Sequence, residues 1–165
     1  MTSYEFANSL AERFCTRDPF EIADALGIIL RRKNLGSLQG LYFLAEDQPY
    51  ILINERLCAE KQRMICAHEL GHDQLHRSLC DAVFSEHTLF DRSGKPEIEA
   101  NLFAADLLLR DEDVLSALSE NPDLASLAST LDVYPEFLLF KLKSMNSRGY
   151  DLLIPQECRN SFWNQ

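Results

Sequence analysis

The chain has 165 residues, 46% of them hydrophobic, with six Gly and six Pro. That is enough for one domain with a proper core, and too apolar and too poor in chain breakers for a disordered segment. Sixteen Lys plus Arg against 26 Asp plus Glu leave a formal net charge of -10, whose field repels phosphate backbones, so direct nucleic-acid binding is not expected.

The start, "MTSYEFANSLAERF", is broken by acidic residues and is no signal peptide. No stretch of the chain approaches the roughly 20 apolar residues of a membrane helix. Cys15, Cys58, Cys66, Cys80 and Cys158 are odd in number and contain no C-x-x-C pair, a poor disulfide framework. A cytoplasmic protein with reduced thiols and no membrane association is expected.

Phe6, Leu10 and Phe14 recur at four-residue spacing, the period of a first helix. In "RDPFEIADALG", Asp18 is placed to cap a second helix with Pro19 at its first position, and Gly27 to end it. The short apolar runs "IIL" (28–30), "LYFLA" (41–45) and "YILIN" (50–54) predict a small, mostly antiparallel sheet. Helical patterns follow from about Ala59 to His76 and from Pro96 to Leu109, separated by the aperiodic "SLCDAVFSEHTLFDRSGK". The last third predicts two or three short helices with start signals at Asp111 and Pro122. Together these elements make one α+β domain.

The stretch "MICAHELGHDQLH" (64–76) carries three of the four histidines at every fourth position. On a helix His68 and His72 lie one turn apart on one face and can place imidazole nitrogens on a single ion. His76 lies roughly 12 Å along the axis from His68, too far to share an ion whose ligands sit about 2 Å from it. The helical wheel groups Met64, Ile65, His68, His72, Leu75 and His76 on an inward arc with Glu69 at its margin, and sets Arg63, Asp73, Gln74 and Arg77 opposite. In the pattern H-E-x-x-H the glutamate after the first ligand can reach a water at the ion without being a ligand itself. The bland reading is a satisfied pair of core histidines, and a third ligand decides between the two.

On the helix opened by Pro96, Glu97 shares the apolar arc with Asn101, Ala104, Leu107 and Leu108, whereas Glu99, Asp106 and Arg110 fall on the solvent side. A carboxylate within an apolar face needs a partner, so Glu97 is the expected third ligand. Asn101, one turn on, is placed to hydrogen-bond a ligand imidazole. His87 has no partner at helical spacing. The extended pattern H-E-x-x-H-x-x-G-x-x-H is absent, because Leu75 and Ser78 stand where it requires Gly and His.

These residues resemble the ImmA/IrrE family of zinc-dependent metallopeptidases. The likeness rests on "AHELGHDQLH" (67–76) and "EIEANLFAADLLL" (97–109), supported by "DPFEIADALGI" (18–28) and "YILIN" (50–54). It implies a zincin-like fold, with Zn2+ on His68, His72 and Glu97 and with Glu69 as catalytic acid/base. The expected division of the domain, 1–165, is N-terminal helices (1–27), sheet and zinc-binding core (28–109), and C-terminal helices and tail (110–165). ImmA-like members cleave helix-turn-helix repressors of prophages or mobile elements, and the short chain is more similar to these than to IrrE-like members of a DNA-damage response. Asp73 stands where the family usually has an aromatic residue, and "LLLRDED" replaces the usual Leu-Leu-Met-Pro ending; both bear on substrate preference.

An oxyanion donor is also required. Tyr42, Tyr50, His76 and His87 are its candidates. A substrate strand added to the sheet would pair with either "YILIN" or "LYFLA" at its edge. The rival reading is a non-catalytic zinc-containing regulatory or binding module, in which "LASLASTLDVYPEFLLFKLKSM" forms a helix-turn-helix with a turn at Asp132 to Pro135. Against it, Lys141, Lys143 and Arg148 are the only basic residues near its end, and a closed structural site has no use for Glu69.

Overall fold

The computed structural model describes residues 1–80 and 94–154, apart from the side chains of Leu79 and Cys80. Among these residues it is an α+β structure of seven helices and one three-stranded sheet. His87 and most of the aperiodic segment lie outside the described residues. None of the described helices is long and apolar enough to cross a membrane. The chain forms two compact units, Met1–Leu108 and Leu109–Gln165.

In the first unit, α1 (Ser3–Phe14) opens on a capping box between Thr2 and Glu5. In α2 (Pro19–Ala25) the Asp18 side chain accepts from the Phe20 N–H and Pro19 takes the first turn, so the expected start is the observed one. Gly27, at φ 72°, releases the chain into the sheet.

The strands are β1 (Ile29–Lys33), β2 (Gly40–Ala45) and β3 (Gln48–Asn54), in the order β1-β3-β2. The sheet is mixed rather than mostly antiparallel, with β2 and β3 antiparallel and β1 parallel to β3. The reason lies in the connections. Glu46 and Asp47 both take left-handed φ, 50° and 64°, in a two-residue turn that folds β3 back on β2. The longer 34–39 connection leaves a gap one strand wide, and β3 fills it. Asn54, at the end of β3, holds that connection through Nδ2 to the Gly36 and Leu38 carbonyls (3.0 and 2.8 Å) and through its backbone N–H to the Gln39 carbonyl. "YILIN" is therefore the central strand, which removes it as an edge for a substrate. "LYFLA" remains one.

Tyr42 pairs with Ile51 and Phe43 with Tyr50, so side chains alternate between the two faces. The Tyr42 face is covered by α3 (Ala59–Cys80), while Phe43 and Tyr50 stack on the other face with centroids 5.1 Å apart. Tyr50 thus points away from the histidine helix. α3 also packs against α2 and α4 (Lys95–Leu108), and α4 against α1. With neighbours on every side, α3 is buried from Met64 through Asp73.

That enclosure corrects two assignments made from the helical wheel. Asp73 is 3% exposed and Asp106 only 1%, because each helix carrying them is packed on more than one side and has no single solvent face. Near Asp106, Arg17 donates to the Asp106 and Leu107 carbonyls, both at 3.0 Å, and to Asn8 Oδ1, so α1 and the residues after it supply donors to the last turn of α4.

The second unit holds α5 (Asp111–Glu120), α6 (Leu124–Thr130) and α7 (Pro135–Ser147). Asp123, not Pro122, caps α6, its carboxylate accepting from the Ser126 N–H. The turn into α7 passes through Asp132 at φ 55°. Lys141 Nζ lies 2.7 Å from Asp111 Oδ1, and Arg148 makes a two-pronged contact with the same carboxylate at 2.5 and 2.9 Å. Two of the three cations on which the helix-turn-helix reading could draw are thus turned onto an internal carboxylate.

Burial alone would raise the Asp111 pKa, but Arg148 and Lys141 outweigh it and lower it from 3.8 to about 2. A carboxylate with a depressed folded-state pKa stabilises above its unfolded value and loses that contribution as pH falls through the folded one. Asp111→Asn is expected to cost about 3 kcal/mol in urea unfolding at pH 7, since it deprives the buried Lys141 of its counter-charge. The difference between wild type and variant should shrink as pH falls from about 4 toward 2. A constant difference across that window would show that Asp111 does not act through its charge.

Candidate metal centre

Residue types and spacing on α3 and α4 converge at one buried point. His68 and His72 stand one turn apart, with Nε2 atoms 3.1 Å from each other. From α4, Glu97 reaches both, Oε2 at 3.3 Å from His68 Nε2 and Oε1 at 3.2 Å from His72 Nε2. All three residues are buried, and they form a group able to hold a metal ion.

Two glycines permit this approach. A Cβ on Gly71, between Leu70 and His72, would lie 3.1 Å from the Ala100 Cα and 3.1 Å from Phe103 Cδ1, so any side chain there would press α4 back from the imidazoles that Glu97 meets. At Gly40 a Cβ would stand 2.3 Å from Ile65 Cγ2 and 2.7 Å from Glu69 Oε1, which brings the start of β2 against Glu69.

The surrounding hydrogen bonds set the ring orientations. Asn101 Oδ1 lies 2.9 Å from His68 Nδ1; an amide oxygen only accepts, so His68 carries a proton on Nδ1 and turns its Nε2 toward Glu97. Burial alone would raise the Glu97 carboxyl, but the two imidazoles hold it well below the ordinary carboxylate range, and it is an anion at neutral pH. Two imidazole nitrogens and a carboxylate at 3.1 to 3.3 Å spacing suit a cation, which would take the place of the protons between them, because ligands about 2 Å from a tetrahedral ion are about 3.3 Å apart. The residues present therefore fit a metal ion.

Glu69 is buried beside this group. Burial pushes its carboxyl up to about 7, and the nearby Glu97 charge adds to that, while His72 and a hydrogen bond from the Tyr42 backbone oppose it. A carboxyl in that range can both accept and release a proton near neutral pH.

Other candidates are held elsewhere. The Tyr42 hydroxyl donates to Asp73 Oδ1 at 2.8 Å. His76 Nδ1 is 3.3 Å from His72 Nδ1 and its Nε2 is 3.0 Å from Glu99 Oε2. Glu99 is thus not simply solvated: it is half-buried, and its carboxyl is lowered chiefly by the hydrogen bond from His76. Sequence reasoning missed this contact because the backbone leaves helical values at His76 (φ -129°, ψ 15°), which no wheel can represent. The alternation Glu97, Glu99, Asn101 was the available signal: each member meets a histidine.

Residues 23–143 match the IrrE N-terminal-like domain, a peptidase family, and the chain belongs to it. Metallopeptidase ImmA of Bacillus subtilis (strain 168) is 30% identical over 149 residues, covering 82% of each chain. An uncharacterized immunity region protein 2 of Bacillus phage phi105 is 38% identical over 103 residues, a match that spans 62% of this chain and 65% of that protein.

The Gly71 contact generates a direct test. Gly71→Val would force branched carbons into the Ala100 backbone, and a loss of about 1–3 kcal/mol of stability in denaturant unfolding is expected. Unchanged or raised stability would mean that α3 and α4 do not approach as closely as described.

Proposed function

We propose that this protein is a zinc-dependent endopeptidase of the H-E-x-x-H type that cleaves a specific intracellular protein, a helix-turn-helix repressor of a prophage or mobile element. The observation that carries the reading is the meeting of His68, His72 and Glu97 beside a buried Glu69 whose carboxyl is raised toward neutrality. Family membership supports it.

In this reading the fold is zincin-like, α3 is the active-site helix, and His68, His72 and Glu97 hold Zn2+, a nitrogen and oxygen donor set that suits it. Bound there, the ion would supply Lewis-acid polarisation of a peptide carbonyl and would acidify a water. Glu69 takes the proton of the attacking water and hands it to the leaving amine. Asn101 keeps the His68 proton on Nδ1. A peptide adding to the β2 edge passes beside Glu69, because Gly40 and the Tyr42 backbone already touch that carboxylate.

The choice of substrate rests on kinship and charge. One relative is named for metallopeptidase activity and another for a phage immunity region. A formal charge of -10 favours encounter with a basic partner such as a DNA-binding repressor, and disfavours nucleic acid itself.

One zinc per chain is expected in metal analysis after dialysis. It should be lost in His68→Ala, His72→Ala and Glu97→Ala, and still be bound in Glu99→Ala. Glu69→Gln should retain zinc and fold while peptide cleavage falls by at least about a hundredfold, because an amide cannot take the proton; wild-type cleavage by that variant would remove Glu69 from its role.

Incubation with a repressor encoded beside the gene should give one or a few defined fragments by mass spectrometry. Cleavage should be faster at low than at high ionic strength, and casein should survive. Indiscriminate digestion, or an intact repressor with zinc bound, would overturn the proposed specificity.

A further inference from the structure

His76 is too far along α3 to share an ion with His68, yet it is buried and bonded on both ring nitrogens. Glu99 Oε2 accepts only, so the 3.0 Å contact places a proton on His76 Nε2. A neutral His76 then presents a lone pair at Nδ1. That atom faces His72 Nδ1 at 3.3 Å, and of two nitrogens in contact one must donate. The donor is His72, whose Nε2 is turned toward Glu97.

His68 reaches the same state by a different route, through Asn101 Oδ1. The backbone departure at His76 accompanies this arrangement: the His72 and His76 rings lie 5.4 Å apart and meet at 53° rather than in a parallel stack. Glu99 itself is steadied by Lys95 at 3.6 Å.

We propose that Glu99 and His76 are positioning residues, a carboxylate and imidazole relay that fixes the tautomer and orientation of His72 so that its Nε2 lone pair points at the metal position. The relay rests on the reading of His72 as a ligand. It predicts that His72 loses its constraint when His76 can no longer accept a proton, whatever happens to the fold as a whole. Partners of this kind are worth roughly 10–100-fold in metal affinity.

The experiment uses the full chain with 15N-labelled histidine, comparing wild type with His76→Phe, His76→Gln and Glu99→Leu. Zinc affinity is measured by competition with a chromogenic chelator, and the His72 Nδ1–H is followed by NMR through its exchange with solvent. In His76→Phe, zinc affinity should fall about 10–100-fold and the His72 Nδ1–H should exchange faster. His76→Gln, whose amide oxygen can accept, should recover most of both. Glu99→Leu, which leaves the His76 Nε2–H without this acceptor, should lower affinity by about tenfold. Wild-type affinity together with wild-type exchange in His76→Phe would overturn the proposal.

Should that variant not fold, Glu99→Leu, which removes the acceptor of the His76 Nε2–H, decides, and the same two unchanged readouts count against the relay. If wild type takes up no zinc, the ligand reading fails, but the relay is still judged in the metal-free protein. A proton on His72 Nδ1 supports it, and one on His72 Nε2 with a doubly protonated His76 overturns it.

Discussion

Glu97 stands on a different helix from the histidines it meets, and everything around the site serves to let that carboxylate reach them. The two helices must approach nearly backbone to backbone, which Gly71 allows. Once they do, polar groups of both are shut away from water and need partners. The alternating Glu97, Glu99 and Asn101 supply these, each meeting an imidazole from α3. Shape comes first here and the polar pairing follows from it.

The same enclosure explains why Glu69 differs from Glu97. Both are buried carboxyls, but Glu97 lies between two imidazoles that favour its anion, whereas desolvation dominates at Glu69 and favours its proton. Two acids of identical chemistry are pushed in opposite directions within one site. This division suits one to hold a cation and the other to exchange protons.

Much of the local structure was legible because local chemistry writes it. Asp18 and Pro19 mark the start of α2 by cap and fixed φ, and the strand runs stand where apolar alternation put them. Strand order was not legible, since it depends on which connection skips a place, and that is decided by Asn54 gripping 34–39 from a distance. The wheel brought His68, His72, Glu97 and Asn101 to inner faces, and the structure gathers them at one point. It sent Asp73, Asp106 and Glu99 outward because it assumes one wet face per helix. α3 and α4 are packed on several sides, and at His76 the helix is not regular.

Arg17 adds a consequence in time. It lies 89 residues from the Asp106 carbonyl it holds, and Glu97 follows His72 in the chain only after the whole segment between α3 and α4. A chain emerging from the ribosome at about 5–20 residues per second therefore displays two imidazoles for seconds before their carboxylate arrives, and longer before Arg17 can fasten the end of α4. The group of His68, His72 and Glu97 stays incomplete until synthesis has passed Glu97, and its second helix stays unfastened until synthesis has passed Leu107.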